Sequence, residues 1–391
     1  MSIYDEFGVP TVINAVGYAT RVAGSCPHET VIAAMAEASR AYVEIDALEA
    51  AASRLIAECT GAEAGLVTCG AAAALSLAAA ACLCRNDPDR MNALPDTTGF
   101  DRDEIVFPAP GFYDYDHSVR LSGARLIALD YNADNALEQI AAAINPRTAA
   151  IGYVWLRTDE RPAIVELAQL AHDRGLPLIV DAAMSLPPRE NLHRFIELGA
   201  DLVAISGGKH LGGPQASGIL AGRQEFIRSA WLQMVDMDVR RETWSLKSLV
   251  DEGWISRSPG HGIGRSMKVS KEQIVGLMTA LKRYADRDHD AELQTWHNHV
   301  DSMYEGLRDI EALQPQKHFP APNGQPWPVL ELRANGAQRG RLREHRIILA
   351  ESDVDPEVAF VSPICLRSED PATIVHVLRQ ELGAGQQVGA V

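Results

Sequence analysis

Apolar positions recur at helical spacing from residue 29 and then contract into short runs, and this change of period predicts the architecture. In Glu29–Tyr42, Val31, Ile32, Met35 and Ala38 share one face, and Ala47–Cys59 forms a second, Ala-rich helix. Gly65-Leu66-Val67-Thr68 is a short strand that runs through Cys69-Gly70 into the helix Ala71–Cys84. Apolar strands then alternate with amphipathic helices. The predicted strands are Glu104–Phe107, Arg125–Leu129, Ala149–Trp155, Pro177–Asp181, Asp201–Ser206 and Gly218–Ala221. Between them lie the helical stretches Asp134–Ile144, Ala163–Arg174 and Leu192–Leu198. Such alternation indicates an α/β domain with a mostly parallel sheet covered on both faces. Two long helical segments, Val269–Arg287 and Asp290–Leu313, are expected to lead out of it. A Pro-rich stretch, the strand Val329–Leu332 and a last helix Ala372–Leu382 then complete a small C-terminal α/β domain. The chain is accordingly divided into residues 1–60, 61–270 and 271–391.

Composition narrows the function classes. The chain has 391 residues with 36 Lys+Arg against 52 Asp+Glu, a formal charge of −16, which argues against a nucleic-acid surface or a polybasic membrane contact. A hydrophobic fraction of 47% supplies a full core and excludes disorder as the main character. No run of about 18 apolar residues is present, and the N-terminus lacks a basic start with an apolar signal core, so a cytoplasmic protein is expected. The six cysteines form no CxxC pair, and His297-x-His299 does not share a helical face, so no metal site is expected.

Three positions carry chemistry, in order along the alternating region. Thr68-Cys69-Gly70-Ala71-Ala72 closes a strand and opens a helix, and its small side chains let backbone N–H groups approach a phosphate. Asp181 ends the apolar strand Leu178-Ile179-Val180, at the edge where open α/β sheets bind ligands. Lys209, in Ser206-Gly207-Gly208-Lys209-His210-Leu211-Gly212-Gly213, is enclosed by glycines and apolar residues, surroundings that disfavour the ammonium form. Phosphate cradle, strand-end acid and sheltered amine form the order expected for pyridoxal 5'-phosphate lying across the carboxyl ends of a parallel sheet. Lys209 would bond to its aldehyde and Asp181 would pair with its ring nitrogen. Gly70, Ala71 and Ala72, with the Ser206 hydroxyl, would hold its phosphate. No GxGxxG follows the first strand, which disfavours a dinucleotide dehydrogenase.

The stretch Ser206-Gly207-Gly208-Lys209-His210-Leu211-Gly212-Gly213-Pro214-Gln215-Ala216-Ser217-Gly218 resembles the lysine motif of the selenocysteine synthase (seryl-tRNA selenium transferase) family. Val12-Ile13-Asn14-Ala15-Val16-Gly17 and Gly264-Arg265-Ser266-Met267-Lys268-Val269 resemble the same superfamily, in particular its short branch with D-glucosaminate-6-phosphate ammonia-lyase. The resemblance spans most of the chain. It implies fold type I, aspartate-aminotransferase-like, with a large domain on a seven-stranded sheet, a small C-terminal domain, and active sites at a homodimer or higher homo-oligomer interface to which residues 1–60 contribute. The chain enters the shared core almost at once, at Val12, without the additional N-terminal domain of the tRNA-using members, so a small amino acid is the expected substrate. Relatives place a His or aromatic side chain over the cofactor ring, and here Phe112, Tyr113 and His117 compete for that part. A substrate carboxylate calls for arginine, with Arg367 ranked ahead of Arg21 and Arg265. Lys268 and Lys271 are candidates for a neighbouring subunit's cofactor phosphate.

The leading expectation is a lyase acting on a β-hydroxy amino acid or amino-sugar acid. Lys209 would remove the α-proton, His210 or His117 would protonate the leaving hydroxyl, and an oxo acid and ammonia would be released. Racemisation or epimerisation, β-replacement and transamination use the same cofactor and stand as alternatives. A non-catalytic metabolite-binding α/β protein is the alternative of another class.

Overall fold

The computed structural model describes residues 2–108, 115–155 and 162–382. The chain forms two compact units: one holds residues 27–286, and the other combines the residues up to Cys26 with those from Arg287 onward. Strand β1 (Ile13–Ala15) belongs to the second unit. Strands β2 (Ala64–Thr68), β3 (Glu104–Pro108), β4 (Arg125–Leu129), β5 (Thr148–Val154), β6 (Leu178–Asp181), β7 (Leu202–Ser206) and β8 (Gly218–Gly222) build the larger unit. Strands β9 (Gln316–His318), β10 (Val329–Arg333), β11 (Ile347–Glu351) and β12 (Val358–Val361) return to the smaller.

The seven strands of the larger unit coincide with the apolar runs of the sequence and form one sheet in the order β2-β8-β7-β6-β5-β3-β4. β3, β4, β5, β6 and β7 pair in parallel, and β8 runs antiparallel to both β2 and β7. Side chains alternate across it as the pleat requires. Leu66, Ile105, Phe107, Ile179, Leu202, Ala204 and Leu220 enter one core, while Val67, Val106, Val180, Val203, Ile205 and Ile219 enter the other. Both faces are covered, as an essentially parallel sheet demands. The helix Ala71–Cys84 is apolar at every position but Ser76 and buried at every position except Ala72, and it lies on the first face with the helix Gln224–Leu232. Helices Ile45–Thr60, Ile164–Asp173 and Asn191–Glu197 contribute to the second core.

One expectation is corrected here. The helix Lys271–Ala285 does not lead out of the larger unit; it packs on the helices Glu29–Ala38 and Ile45–Thr60. Its buried face, with Ile274, Leu277, Ala280, Leu281 and Tyr284, is the reason. The long helix after it ends at Leu307, and Glu311–Leu313 is a separate 3-10 turn.

In the smaller unit the sheet order is β1-β11-β12-β10-β9. β1 pairs in parallel with β11, Ile13 beside Ile347, so a strand from the start of the chain completes a sheet made near its end. Asn14 closes the turn that follows. Its Oδ1 accepts the N–H groups of Val16 and Gly17 at 3.0 and 3.1 Å, and its Nδ2 donates to the carbonyls of Gly17 and Gly24 at 3.0 and 3.3 Å. Helices His289–Leu307 and Asp370–Leu382 cover this sheet, with Val300, Met303, Leu307, Leu332, Leu349, Ile374 and Leu378 in the core.

The amino edge of the large sheet is fastened by Asp201, buried at 3% exposure. Its Oδ2 accepts Leu178 N–H at 2.8 Å and lies 2.9 Å from His172 Nε2, while its Oδ1 accepts Arg223 Nη1 at 3.1 Å. Asp201→Ala leaves the Leu178 N–H unsatisfied and takes the carboxylate away from Arg223 and His172, so unfolding in urea should show a loss of roughly 2–4 kcal/mol. Asp201→Asn should lose about half of that. Unchanged midpoints would contradict this account.

Candidate active site

The strand directions bring the chemistry-bearing residues to one edge. Because β8 is antiparallel to β2 and to β7, those two strands run the same way, and Thr68, Gly218 and Ser206 lie side by side in register. Asp181 ends β6 on the same edge, beside Ala204 of β7. This is the carboxyl edge, where open α/β sheets bind ligands.

At its β2 end the edge forms a cradle. Thr68 Oγ1 donates to the Gly70 carbonyl at 2.9 Å, and Gly70 turns the chain with φ +140°, a conformation that favours glycine. The first N–H to reach back in the helix is that of Ala74, to the Gly70 carbonyl at 3.0 Å. The earlier N–H groups therefore sit at the positive end of a 14-residue helix whose first turn carries no acidic side chain. A Cβ on Gly70 would meet nothing within 4 Å, so space is open in front of the cradle. Behind it the fit is close: a Cβ on Gly218 would stand 2.5 Å from Gly70 C and 2.7 Å from Ala71 N. Ala71 is buried, and Ala72 is exposed.

Lys209 rides on a tight turn after β7. Gly207 N–H donates to the Ser217 carbonyl at 2.9 Å and Gly213 N–H to the Gly207 carbonyl at 2.8 Å, and a Cβ on Gly208 would stand 2.4 Å from Gln215 Cα. Burial pushes the Lys209 amine below the ordinary lysine range, against the opposing pull of the Asp181 carboxylate. Asp181 is itself buried, and its Oδ1 accepts Ala183 N–H at 2.8 Å. Ser206 is half-buried at the end of β7. His210 is buried edge-on against Tyr284, with ring centroids 5.4 Å apart and 3.0 Å between Nδ1 and Tyr284 Oη. Open helix N–H groups, a carboxylate and a sheltered amine on one edge are the chemical complement of a phosphate, a basic ring nitrogen and an aldehyde. The residues present thus fit pyridoxal phosphate.

The remaining predicted residues belong to both units. His117 is exposed on the short helix Asp116–Arg120, with Nδ1 3.5 Å from Arg120 Nη2. Phe112 and Tyr113 lie outside the described residues. Arg265, on the 3-10 turn Ile263–Met267, donates to Asp236 Oδ2 at 3.0 Å, and Lys268 is exposed just beyond it. Arg21 and Arg367 belong to the smaller unit and are both exposed there. Arg21 lies in the loop tied by Asn14, and Arg367 sits where its N–H donates to Asp370 Oδ2 at 2.7 Å. Three contributors escaped sequence reasoning: Gly218 behind the cradle, Tyr284 against His210, and Glu49, whose Oε2 accepts Val67 N–H at 3.2 Å. Only Gly218 had a signal, a glycine opening an otherwise apolar strand.

The chain is similar to several known proteins. Residues 31–205 match the DegT/DnrJ/EryC1/StrS aminotransferase family. Over 290 residues the chain is 32% identical to D-glucosaminate-6-phosphate ammonia lyase of Salmonella typhimurium, covering 72% of this chain and 70% of that protein. It is likewise 32% identical over 290 residues to a 5'-C-glycyluridine monooxygenase-decarboxylase of a Streptomyces species, covering 72% of this chain and 65% of that one. The chain thus spans about two thirds of the length of these curated relatives. An L-seryl-tRNA(Sec) selenium transferase of Desulfomicrobium baculatum is 26% identical over 269 residues, covering 61% of this chain and 54% of the transferase. A solved structure of D-glucosaminate-6-phosphate ammonia-lyase superposes with a TM-score of 0.78 at 28% identity, covering 98% of this chain and 99% of that one. An alanine–glyoxylate aminotransferase of Nostoc shares the fold, with a TM-score of 0.57 at 18% identity, covering 98% of this chain and 100% of that one. The chain therefore belongs to the family of D-glucosaminate-6-phosphate ammonia lyase, pyridoxal phosphate enzymes of the aminotransferase-like fold type I.

Proposed function

We propose that the protein is a lyase that eliminates the β-hydroxyl of a β-hydroxy amino acid or amino-sugar acid and releases an oxo acid and ammonia. The observation that carries this reading is the meeting of the Gly70–Ala72 cradle, Asp181 and Lys209 on one sheet edge, in a chain 32% identical to an ammonia lyase. The α-proton and the β-hydroxyl leave as water, and one water returns when the product imine hydrolyses, so atoms balance without an oxidant.

When bound, pyridoxal phosphate supplies an aldehyde for an amine and a conjugated ring that takes up the electron pair left at Cα. Backbone N–H groups of Gly70, Ala71 and Ala72, with the Ser206 hydroxyl, hold the phosphate in this proposal. Asp181 holds the ring nitrogen and keeps its proton in place. Lys209 Nζ, whose ammonium form burial disfavours, is assigned the α-proton. His210, held by Tyr284, is assigned the proton that leaves with the hydroxyl. Of the three arginines proposed for a substrate carboxylate, Arg265 has its guanidinium engaged by Asp236.

We further propose a cytoplasmic homo-oligomer with shared active sites, residues 1–60 taking part in its interface. Exposed Ile32, Tyr42, Val43 and Ile45 in the larger unit support an interface there, and no described helix is long and apolar enough to cross a membrane. The equal identity to the monooxygenase-decarboxylase supports a second reading, an oxidative decarboxylation, which oxygen uptake and carbon dioxide release would reveal.

Three outcomes test these assignments. Lys209→Ala should lower ammonia release from β-hydroxy amino acids by roughly 10²–10⁴-fold, and borohydride should leave no cofactor adduct at that position by mass spectrometry. An adduct elsewhere would overturn the assignment. In cofactor-free protein, acetylation of Lys209 followed against pH should show its amine losing its proton below the ordinary lysine range. Asp181→Asn removes the charge that favours the ammonium, so the titration should move lower still; a move upward would refute the pairing. Gly218→Ala drives a methyl into the cradle backbone and should weaken cofactor binding about tenfold, near 1.4 kcal/mol, as read by spectrophotometric titration.

A further inference from the structure

Strand β2 is the last of its sheet, so one of its edges has no strand beside it. The helices Ile45–Thr60 and Gln224–Leu232 pack on opposite faces of that sheet and come together around this edge. Ser53 Oγ accepts Gly65 N–H there at 3.0 Å, one of the groups that a strand edge leaves bare. Between the two helices remains a cavity of about 490 Å³, within the range of small-molecule sites, and every residue lining it belongs to the larger unit. Its floor is Glu63 and Ala64. Ala64 pairs with Gly222, whereas Thr68 of the cradle pairs with Gly218. The cavity therefore opens at the other end of β2, about 14 Å from the cradle along the strand.

Each helix turns one stripe toward the cavity. Ala50, Ser53, Arg54 and Ala57 follow the i, i+3, i+4, i+7 spacing of a single helical face, and so do Gln224, Ile227, Arg228 and Trp231. An arginine thus stands within each stripe. Elsewhere in the larger unit Arg223, Arg257 and Arg265 are taken up by carboxylates. Arg54 and Arg228 have no ion-pair partner among the described residues, in a chain with a formal charge of −16. Arg228 is steadied instead by the face of Trp254, 5.9 Å from its guanidinium carbon to the ring centroid, a contact that leaves its N–H groups free to donate. The carboxylate in the lining, Glu63, is already engaged, its Oε2 accepting Gln224 N–H at 2.8 Å. Half-buried Trp231, Leu246 and Leu249 supply a broad apolar wall beside these charges. We propose that this cavity binds a small organic anion, its phosphate or carboxylate head held by Arg54 and Arg228 and its flat apolar body laid against Trp231. Guanidinium forks match either head, and the wall rewards burial of the body, so both halves of the ligand are recognised. The site stands apart from the cofactor reading, since neither the cradle, Asp181 nor Lys209 lines it.

The test is calorimetric titration of the protein, saturated with pyridoxal phosphate, against phenyl phosphate and against benzoate. At least one of the two should saturate a single site per chain, and the tighter of them identifies the head. Inorganic phosphate and phenol each carry one half of the ligand and should bind at least about tenfold more weakly. Arg54→Met, at an exposed position, should weaken the tighter probe roughly tenfold. Ala57→Phe fills the cavity from the same helix without removing a charge and should abolish binding, with circular dichroism checking that both variants fold. Binding that survives both substitutions puts the anion elsewhere and overturns the proposal. Failure of both probes to bind overturns it as well, and a changed oligomeric mass of Arg54→Met in ultracentrifugation would then give the cavity to a second copy of the chain.

Discussion

The structure depends on how closely strand β8 is gripped between its neighbours. At one end a side chain on Gly218 would strike the backbone of Gly70 and Ala71, and at the other a side chain on Gly222 would stand 2.0 Å from the Asp201 carbonyl. Glycine at both ends lets an antiparallel strand lie between β2 and β7 without pushing them apart. The spacing of the cradle from Asp181 and Lys209 then follows from strand geometry, about 4.8 Å per neighbour. The alanines of Ala71–Cys84 serve the same end, since their small side chains let that helix lie low on the sheet.

The two edges of this sheet treat charge in opposite ways. On the amino edge, buried Asp201 and Glu104 are met by arginines that reach out to solvent. Burial would raise Glu104, but Asn145 and Arg125 outweigh it and hold the carboxyl low. Such groups are settled, and they fasten strands. On the carboxyl edge the balance at Lys209 falls the other way: burial prevails over a neighbouring carboxylate, even in a chain with a formal charge of −16. Enclosure thus weakens the hold of this amine on its proton, which is what a nucleophile or base requires.

Much of this was legible in the chain itself, for physical reasons. The larger unit's strands are short, continuous apolar runs because both faces are covered, and glycine or proline near their ends marks where they stop. Asp181 stood out because a charged residue directly after such a run is costly unless it has a task, and Lys209 because glycines and apolar residues enclose it. Glu49, by contrast, sits inside an alanine-rich helix, and its link to Val67 is a contact across 18 residues that no periodicity announces. Tyr284 reads as one more apolar position on its helix until His210 is seen against it. β1 escaped as well: three residues are too few to show a period, and its partner β11 lies at the far end of the chain.

That last pairing has a bearing on how the protein is made. The larger unit is one uninterrupted stretch and can close as soon as the ribosome has released it. Ile13, Asn14 and Ala15 emerge before that unit yet find their neighbours Ile347, Ile348 and Leu349 only after it has been made. In the interval this segment carries a bare strand edge, the kind of surface that holdase chaperones recognise and that stray β-segments can capture.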